Sequence, residues 1–409
     1  MGTGTSHFTV QPLQHAGPYA HKTTIFYRCP DGADCLVNPA NGAVTCGDGQ
    51  EGVLCARCAD EYFQAVSGRC EKCDDRSADA SGVALFVAVY FGLPLLCTIV
   101  VYSAYKSSET LRILTERVMT SAFSKVKIIA GFYTVVVLFE DVYTLPYPEV
   151  YRKFVNYFKI FDFFPALRML KLACTIDYNF HSMLYFSSSV MAILMLLILT
   201  NHLCFTFFKK KALPASAVSG ILFAITMLYP SSSTIAFRAF NCRSIDGVEY
   251  HREDLSIKCA SSAHKDAEAF AVVSMIFVSV GLLVLYTVLL WPHHTVLQTG
   301  MKSSDAATEL RSISFLYTDF TGPCYYWEII DAARKLVVCG FVVFLQESLI
   351  RPVVGMLLCF FYIMLLIKVE PYKEAIHNYM AIVANVMLFF SLVGGILSEI
   401  ETIRRWLQT

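Results

Sequence analysis

Charge is scarce in this chain. Only 16% of its 409 residues are Asp, Glu, Lys or Arg, against 56% hydrophobic residues, and the mean hydropathy is +0.52. That composition cannot cover a water-soluble domain of this size, so a soluble globular protein is excluded. The few charges also cancel, with 33 Lys and Arg against 33 Asp and Glu. No basic tract interleaved with aromatics occurs either, so nucleic acid is not expected as a partner. The opening MGTGTSHFTVQPLQHAGPY lacks both the basic n-region and the apolar h-region of a signal peptide, and the N-terminus reads as incomplete. The Met-Gly start with Ser6 is a poor myristoylation signal, because a cysteine-rich region suited to an oxidising compartment follows it. Nucleophile elbow, phosphate loop and His-Glu metal motif are all missing. No catalytic residue, cofactor or metal site is therefore predicted, and an enzyme is not expected.

What is present is apolar length. Runs at 83–102, 128–143, 183–208, 215–237, 270–291, 328–346, 349–367 and 379–397 read as membrane spans. A 19-residue run covers about 28 Å as a helix, close to a bilayer's hydrocarbon thickness. The expected fold class is mainly α, a polytopic transmembrane helix bundle of about eight spans behind a small disulfide-rich N-terminal module. A ninth span is conceivable beyond this sequence. Residues 1–28 read as a linker or remnant, 29–79 as the cysteine-rich module, 80–399 as the transmembrane domain and 400–409 as a tail. Residues 106–127 place Leu111, Ile113, Leu114, Val118 and Met119 among Arg112, Arg117, Lys125 and Lys127, an amphipathic connection expected to lie on the membrane surface. Residues 149–182 mix aromatic and basic side chains too densely for a span and read as interfacial.

Cysteine fixes the predicted orientation. Seven of the 15 cysteines, Cys29, Cys35, Cys46, Cys55, Cys58, Cys70 and Cys73, precede the first apolar run. So small a module needs staples, and it belongs in the lumen or outside the cell. Lys and Arg in the loops give no decisive bias under this topology, so the orientation rests on the cysteines. Cys55, Cys58, Cys70 and Cys73 have the C-x2-C-x11-C-x2-C spacing of a four-thiolate zinc site as well as of a disulfide module, and the three further cysteines favour disulfides. Seven cysteines need an eighth, and Cys174 in the interfacial segment is the candidate partner of Cys73. The polar segment between Cys242 and Cys259 reads as a lumenal loop closed by a disulfide.

Two places combine charge with the apolar runs. Glu140 and Asp141 end the second run and would form a cation-attracting outer mouth, the plain alternative being a solvated helix end. Glu328, Asp331, Arg334 and Lys335 enter the sixth run at spacings that set acid beside base on one helix face. Such a cluster is tolerated near lipid if it pairs at headgroup level or lines a polar cavity. An ion-pair network stabilising the helix entrance and a gating device are both open. Pro94 and Pro230 are expected to kink their helices, with Ser231, Ser232 and Ser233 satisfying freed backbone. His202, with no second ligand three or four residues on, is expected to be hydrogen-bonded and not to bind metal.

The stretch GDGQEGVLCARCADEYF resembles the end of EGF-like and ephrin-receptor-like repeats. That resemblance implies pairings of Cys46 with Cys55 and Cys58 with Cys70, and less firmly of Cys29 with Cys35. Leu228-Tyr-Pro, the Cys242–Cys259 loop with Gly247 and Tyr250, Tyr317 through Trp327-Glu328, Arg334-Lys335 and Pro371-Tyr372 appear in an order that resembles the TRP-like membrane family of fungi and protists. The resemblance covers roughly residues 80–400 and implies a cation channel or channel-like subunit in the plasma membrane or an endomembrane. Two other functions are weighed beside it. One is a membrane receptor or assembly subunit that binds a protein partner through residues 29–75, alone or as an oligomer. The other is a lipid or small-molecule transporter.

Overall fold

The structure is a computed structural model that describes residues 35–37, 44–64, 69–73, 109–143, 145, 147–158, 163–166, 179–208, 213–245, 247–299, 307–345 and 349–408. The run at 83–102, with Pro94, lies outside them. The chain divides into two compact units. One comprises Met1–Gly92, Pro165–Met183 and Ala239–Ala269, and the other comprises Leu93–Phe164, Leu184–Arg238 and Phe270–Thr409.

The first unit is small and stapled, and it holds all the named strands among the described residues. Its N-terminal module holds three two-stranded antiparallel pairs: β1 (Cys35–Val37) with β2 (Val44–Cys46), β3 (Gln50–Glu51) with β4 (Arg57–Cys58), and β5 (Tyr62–Gln64) with β6 (Cys70–Lys72). Disulfides join Cys46 to Cys55 and Cys58 to Cys70, and Cys73 is disulfide-bonded as well. All four sulfurs of the zinc-like spacing are thus bound to sulfur and offer no thiolate to a metal. The pairings considered for Cys29, Cys35 and Cys174 involve side chains outside the described residues. A fourth antiparallel pair, β7 (Cys242–Ile245) with β8 (Val248–His251), turns at Gly247, whose φ of +78° is the left-handed conformation that glycine adopts without strain. The Cys242–Cys259 disulfide closes the loop that follows. Leu54 of the module packs with Ile245 and Leu255, giving the unit a small apolar core.

The second unit is a helical bundle. Five helices among the described residues are long and apolar enough to cross a membrane, with spans Phe180–Phe207, Ala217–Arg238, Ser262–Thr299, Ile350–Val369 and Ala375–Glu401. The chain is accordingly a multi-pass membrane protein, and the predicted count of eight spans is not reached among the described residues. Two predicted runs differ for identifiable reasons. The amphipathic connection and the run at 128–143 form one 35-residue helix, α1 (Glu109–Tyr143), whose apolar half carries Lys127, Glu140 and Asp141. The run at 328–346 is α-helical only in the 13-residue helix Trp327–Cys339, then passes Gly340 and tightens into the 3-10 turn Phe341–Phe344.

In order, the remaining helices are α2 (Glu149–Phe158), α3 (Phe163–Ala166), α4 (Phe180–Phe208), α5 (Ala215–Arg238), α6 (Ser262–Thr299), α7 (Ala307–Ser312), α8 (Trp327–Cys339), α9 (Ile350–Val369) and α10 (Ala375–Gln408). Residues 400–408, read as a tail, continue α10. The π-helical segment Met275–Val280 interrupts α6. Within the bundle α1 packs against α5, α8 and α10, and α9 packs on α10. Gly355 of α9 is required at its position, since a Cβ there would run into the buried Tyr143 phenol, which donates to the Val338 carbonyl at 2.9 Å.

Polar seams join the bundle's apolar faces. Thr226 and Tyr286 share a hydrogen bond of 2.7 Å, Tyr229 donates to the Ser279 carbonyl at 3.1 Å, and the Ser279 hydroxyl donates to Ser233 at 3.0 Å. α5 runs through Pro230 without ending. The hydroxyl that turns back to the backbone is that of Thr234, which donates to the Pro230 carbonyl at 2.7 Å; the Ser231 and Ser232 hydroxyls have no hydrogen-bond partner among the described residues.

Candidate functional site: a buried ionic network

α8 begins at Trp327, which is buried with Phe320, Cys324, Tyr362 and Leu366 and so fixes the helix's entrance. From that anchor the helical period carries Glu328, Asp331 and Lys335 inward along one side. Glu328 is 2% exposed and Lys335 5%. Asp331 is the centre of one half of the network. Its Oδ1 accepts from Arg334 Nη2 at 2.9 Å and from the Tyr362 hydroxyl at 3.1 Å, while its Oδ2 lies 2.8 Å from Lys335 Nζ. The Arg334 guanidinium also lies over the Tyr362 ring, 4.5 Å from its centre, a cation–π contact.

The other half is built around Lys127 of α1. Its Nζ sits 2.6 Å from Glu328 Oε2 and 3.7 Å from Asp319 Oδ2, and donates to the Phe315 carbonyl at 3.3 Å. The Phe315 ring faces the same ammonium, 4.2 Å away. Ser124, one turn earlier on α1, donates to Asp319 Oδ1 at 2.5 Å. Asp319 is itself held by its backbone, because its carbonyl accepts from Lys373 N at 3.0 Å and Thr321 N donates to Pro371 at 2.8 Å. Gly131 leaves room for the Lys335 ammonium, since a Cβ there would stand 3.1 Å from its Nζ and press it aside by a few tenths of an ångström.

Three cations, Lys127, Arg334 and Lys335, therefore meet three carboxylates, Asp319, Glu328 and Asp331. All but Asp319 line a cavity of about 40 Å³, together with Tyr362, Tyr372 and Asn385. Such a volume accommodates roughly two or three waters. Two buried polar atoms at this cavity have no hydrogen-bond partner among the described residues: Arg334 Nη1 and Asn385 Oδ1. The Asn385 amide is anchored at its other end, donating to the Ala381 carbonyl at 2.8 Å. Burial first, and then the neighbouring Tyr362 phenol and the acids Asp331, Glu328 and Asp319, hold the Tyr372 phenol well above its ordinary range. It stays a neutral wall of the cavity.

Of the residues singled out by sequence, Glu328, Asp331, Arg334 and Lys335 are thus brought together. Glu140 and Asp141 lie in the last turn of α1, about 20 Å along the helix from Lys127, and their side chains fall outside the described residues. Sequence reasoning assigned Lys127 to a surface connection, and the structure corrects this: it is buried and central. Asp319 and Tyr362 were missed altogether. Signals existed for Lys127 and Asn385, each being a polar residue at the edge or in the middle of an apolar run. The chain matches no family model, no curated protein and no solved structure.

Proposed function

We propose that this chain is a membrane transport protein of the cation-channel kind, in which the ionic network around Glu328 and Asp331 is the latch of the gate. The observation that carries the reading is the network's composition and place. Six ionisable side chains, three acids and three bases, from α1, the segment before α8, and α8 itself are paired inside a helical bundle. Ionisable groups in such positions are costly and mark ion paths or moving parts more often than static struts. The latch is a two-state element: its pairs join α1 to α8, and separating those helices to open a path requires them to exchange partners. The cavity, with unpartnered Arg334 Nη1 and Asn385 Oδ1, supplies the polar groups that take over as the pairs part. The resemblance to TRP-like membrane proteins supports the same reading, because Trp327-Glu328, Arg334-Lys335 and Tyr372, which carry it, gather at this one place.

Purified chain reconstituted in liposomes tests this by cation flux under an imposed gradient. The double variant Lys127→Met with Glu328→Gln removes both halves of the pair that joins α1 to α8 and leaves no buried lone charge at that pair. It is expected to raise flux severalfold over wild type. Equal flux in the two proteins, or none in either, would remove the latch.

A further inference from the structure

The geometry points to a Zn²⁺ site in the first unit that forms when the Cys242–Cys259 disulfide is reduced, with Cys242, Cys259, His264 and Glu268 as ligands. The ligand atoms of Cys242, Cys259 and His264 lie within 4.8 Å of one another. His264 Nε2 is 3.9 Å from Cys242 Sγ and 3.6 Å from Glu268 Oε1. A tetrahedral zinc with ordinary bond lengths needs ligand–ligand edges of about 3.6 Å for sulfur to nitrogen and about 3.4 Å for nitrogen to oxygen. Both edges are thus present to within a few tenths of an ångström. The missing edge is sulfur to sulfur, which is about 3.8 Å in such a site and about 2 Å across a disulfide. Opening that bond frees both sulfurs, and the Glu268 carboxylate, which stands 3.6 Å from His264 Nε2 but outside the 4.8 Å group of the other three, then closes onto the same ion.

The surroundings are those of a supported ligand set. His264 and Glu268 are four residues apart at the start of α6, so both project from one helix face. His264 is fully buried, Cys259 is 8% exposed, and Glu268 is half-buried, leaving an approach for the ion past the carboxylate. His181 Nε2 lies 3.0 Å from His264 Nδ1. With Nε2 on the metal, Nδ1–H donates to His181, which fixes the tautomer and the ring's orientation as metal-bound histidines require. Cys259 is placed by its backbone, whose N–H donates to the Glu249 carbonyl at 3.0 Å.

The chemistry balances as follows. A dithiol reductant gives two electrons and two protons to the disulfide and is itself oxidised to a disulfide, leaving Cys242 and Cys259 as thiols. Zinc then displaces both thiol protons to solvent and binds two thiolates, a neutral imidazole and a carboxylate. The oxidised hairpin cannot bind the ion in this way, so the site reports the redox state of its surroundings.

The test uses the full chain in detergent, reduced with dithiothreitol, with Zn²⁺ alone as probe. Alkylation is followed cysteine by cysteine by mass spectrometry. Zinc is expected to slow modification of Cys242 and Cys259 at least tenfold and to leave Cys204, a free half-buried thiol far along α4, unchanged. Protection should vanish in His264→Ala and weaken at least tenfold in apparent zinc affinity in Glu268→Gln. The second variant decides the matter if the first fails to fold, because residue 268 is half-buried. Absence of protection in wild type, or wild-type protection in Glu268→Gln, overturns the site.

Discussion

Replacing Lys127 by Met should loosen the second unit far more than replacing Glu328 by Gln, and the difference is calculable from the contacts. Without Lys127, the Glu328 carboxylate is 2% exposed and has lost its 2.6 Å partner. Breaking a buried pair in this way costs about 3–5 kcal/mol. Without the Glu328 charge, Lys127 keeps Asp319 at 3.7 Å, the Phe315 carbonyl and the Phe315 ring. That variant should lose only about 1–3 kcal/mol, the range for leaving one buried hydrogen-bonding group short of a partner. The double variant should fall below Lys127→Met, since an uncharged pair of similar volume is often neutral. Cys324, Cys339 and Cys359 are buried free thiols and serve as internal reporters. When opening and closing are fast, their alkylation rate follows the open population, so 3–5 kcal/mol becomes an acceleration of roughly 10² to several times 10³. Lys127→Met labelling at the wild-type rate, or a double variant looser than either single one, would refute the pairing.

Other expectations follow from separate contacts. Gly355→Ala drives a methyl group into the Tyr143 phenol and should cost about 1–3 kcal/mol, read as faster alkylation of Cys359. Thr226→Val leaves the buried Tyr286 hydroxyl without its 2.7 Å partner and should cost about 1–3 kcal/mol, with most of the loss recovered in Thr226→Val with Tyr286→Phe. Removing the Cys242–Cys259 crosslink, whose ends are 17 positions apart, should destabilise that loop by about 3 kcal/mol, seen as faster amide exchange in β7 and β8. If the C-terminal end of α1 feeds a cation path, Glu140→Gln with Asp141→Asn lowers flux in liposomes without changing thiol labelling.

The parts of the fold that were legible are those where one physical term dominates. α4, α9 and α10 are long apolar runs whose composition leaves no soluble alternative, and their helices start within a few residues of the predicted runs. The run at 328–346 has the length and, beyond Lys335, the apolar composition of a span, yet α8 ends at Cys339; Gly340 and the β-branched Val342 and Val343 that follow are weak helix formers. The half of the site on α8 was visible because charges inside an apolar run stand out. Lys127 was misplaced for the opposite reason: a lysine at the edge of such a run normally snorkels to the headgroups, and only the partners Glu328 and Asp319, distant in sequence, hold it inside. Asp319 and Tyr362 enter through contacts between segments far apart in the chain, which no local pattern encodes. The histidines near the Cys242–Cys259 loop were passed over on the same ground, since His181 and His264 are 83 residues apart.

The π-helical turn at Met275–Val280 has a consequence for how this chain tolerates length changes. A π turn holds one residue more than an α turn while the helix on either side keeps its ordinary geometry. The residues before and after it in α6 are therefore out of step with a continuous 3.6-residue period. Deleting one residue within 275–280 would let the segment close as plain α-helix and leave both flanks facing the neighbours they now face, whereas the same deletion elsewhere in α6 would turn everything beyond it by about 100°. Membrane helices are usually intolerant of insertions and deletions. This one has a place where a residue can be taken out, and Ser279, which ties α6 to Ser233, sits inside it.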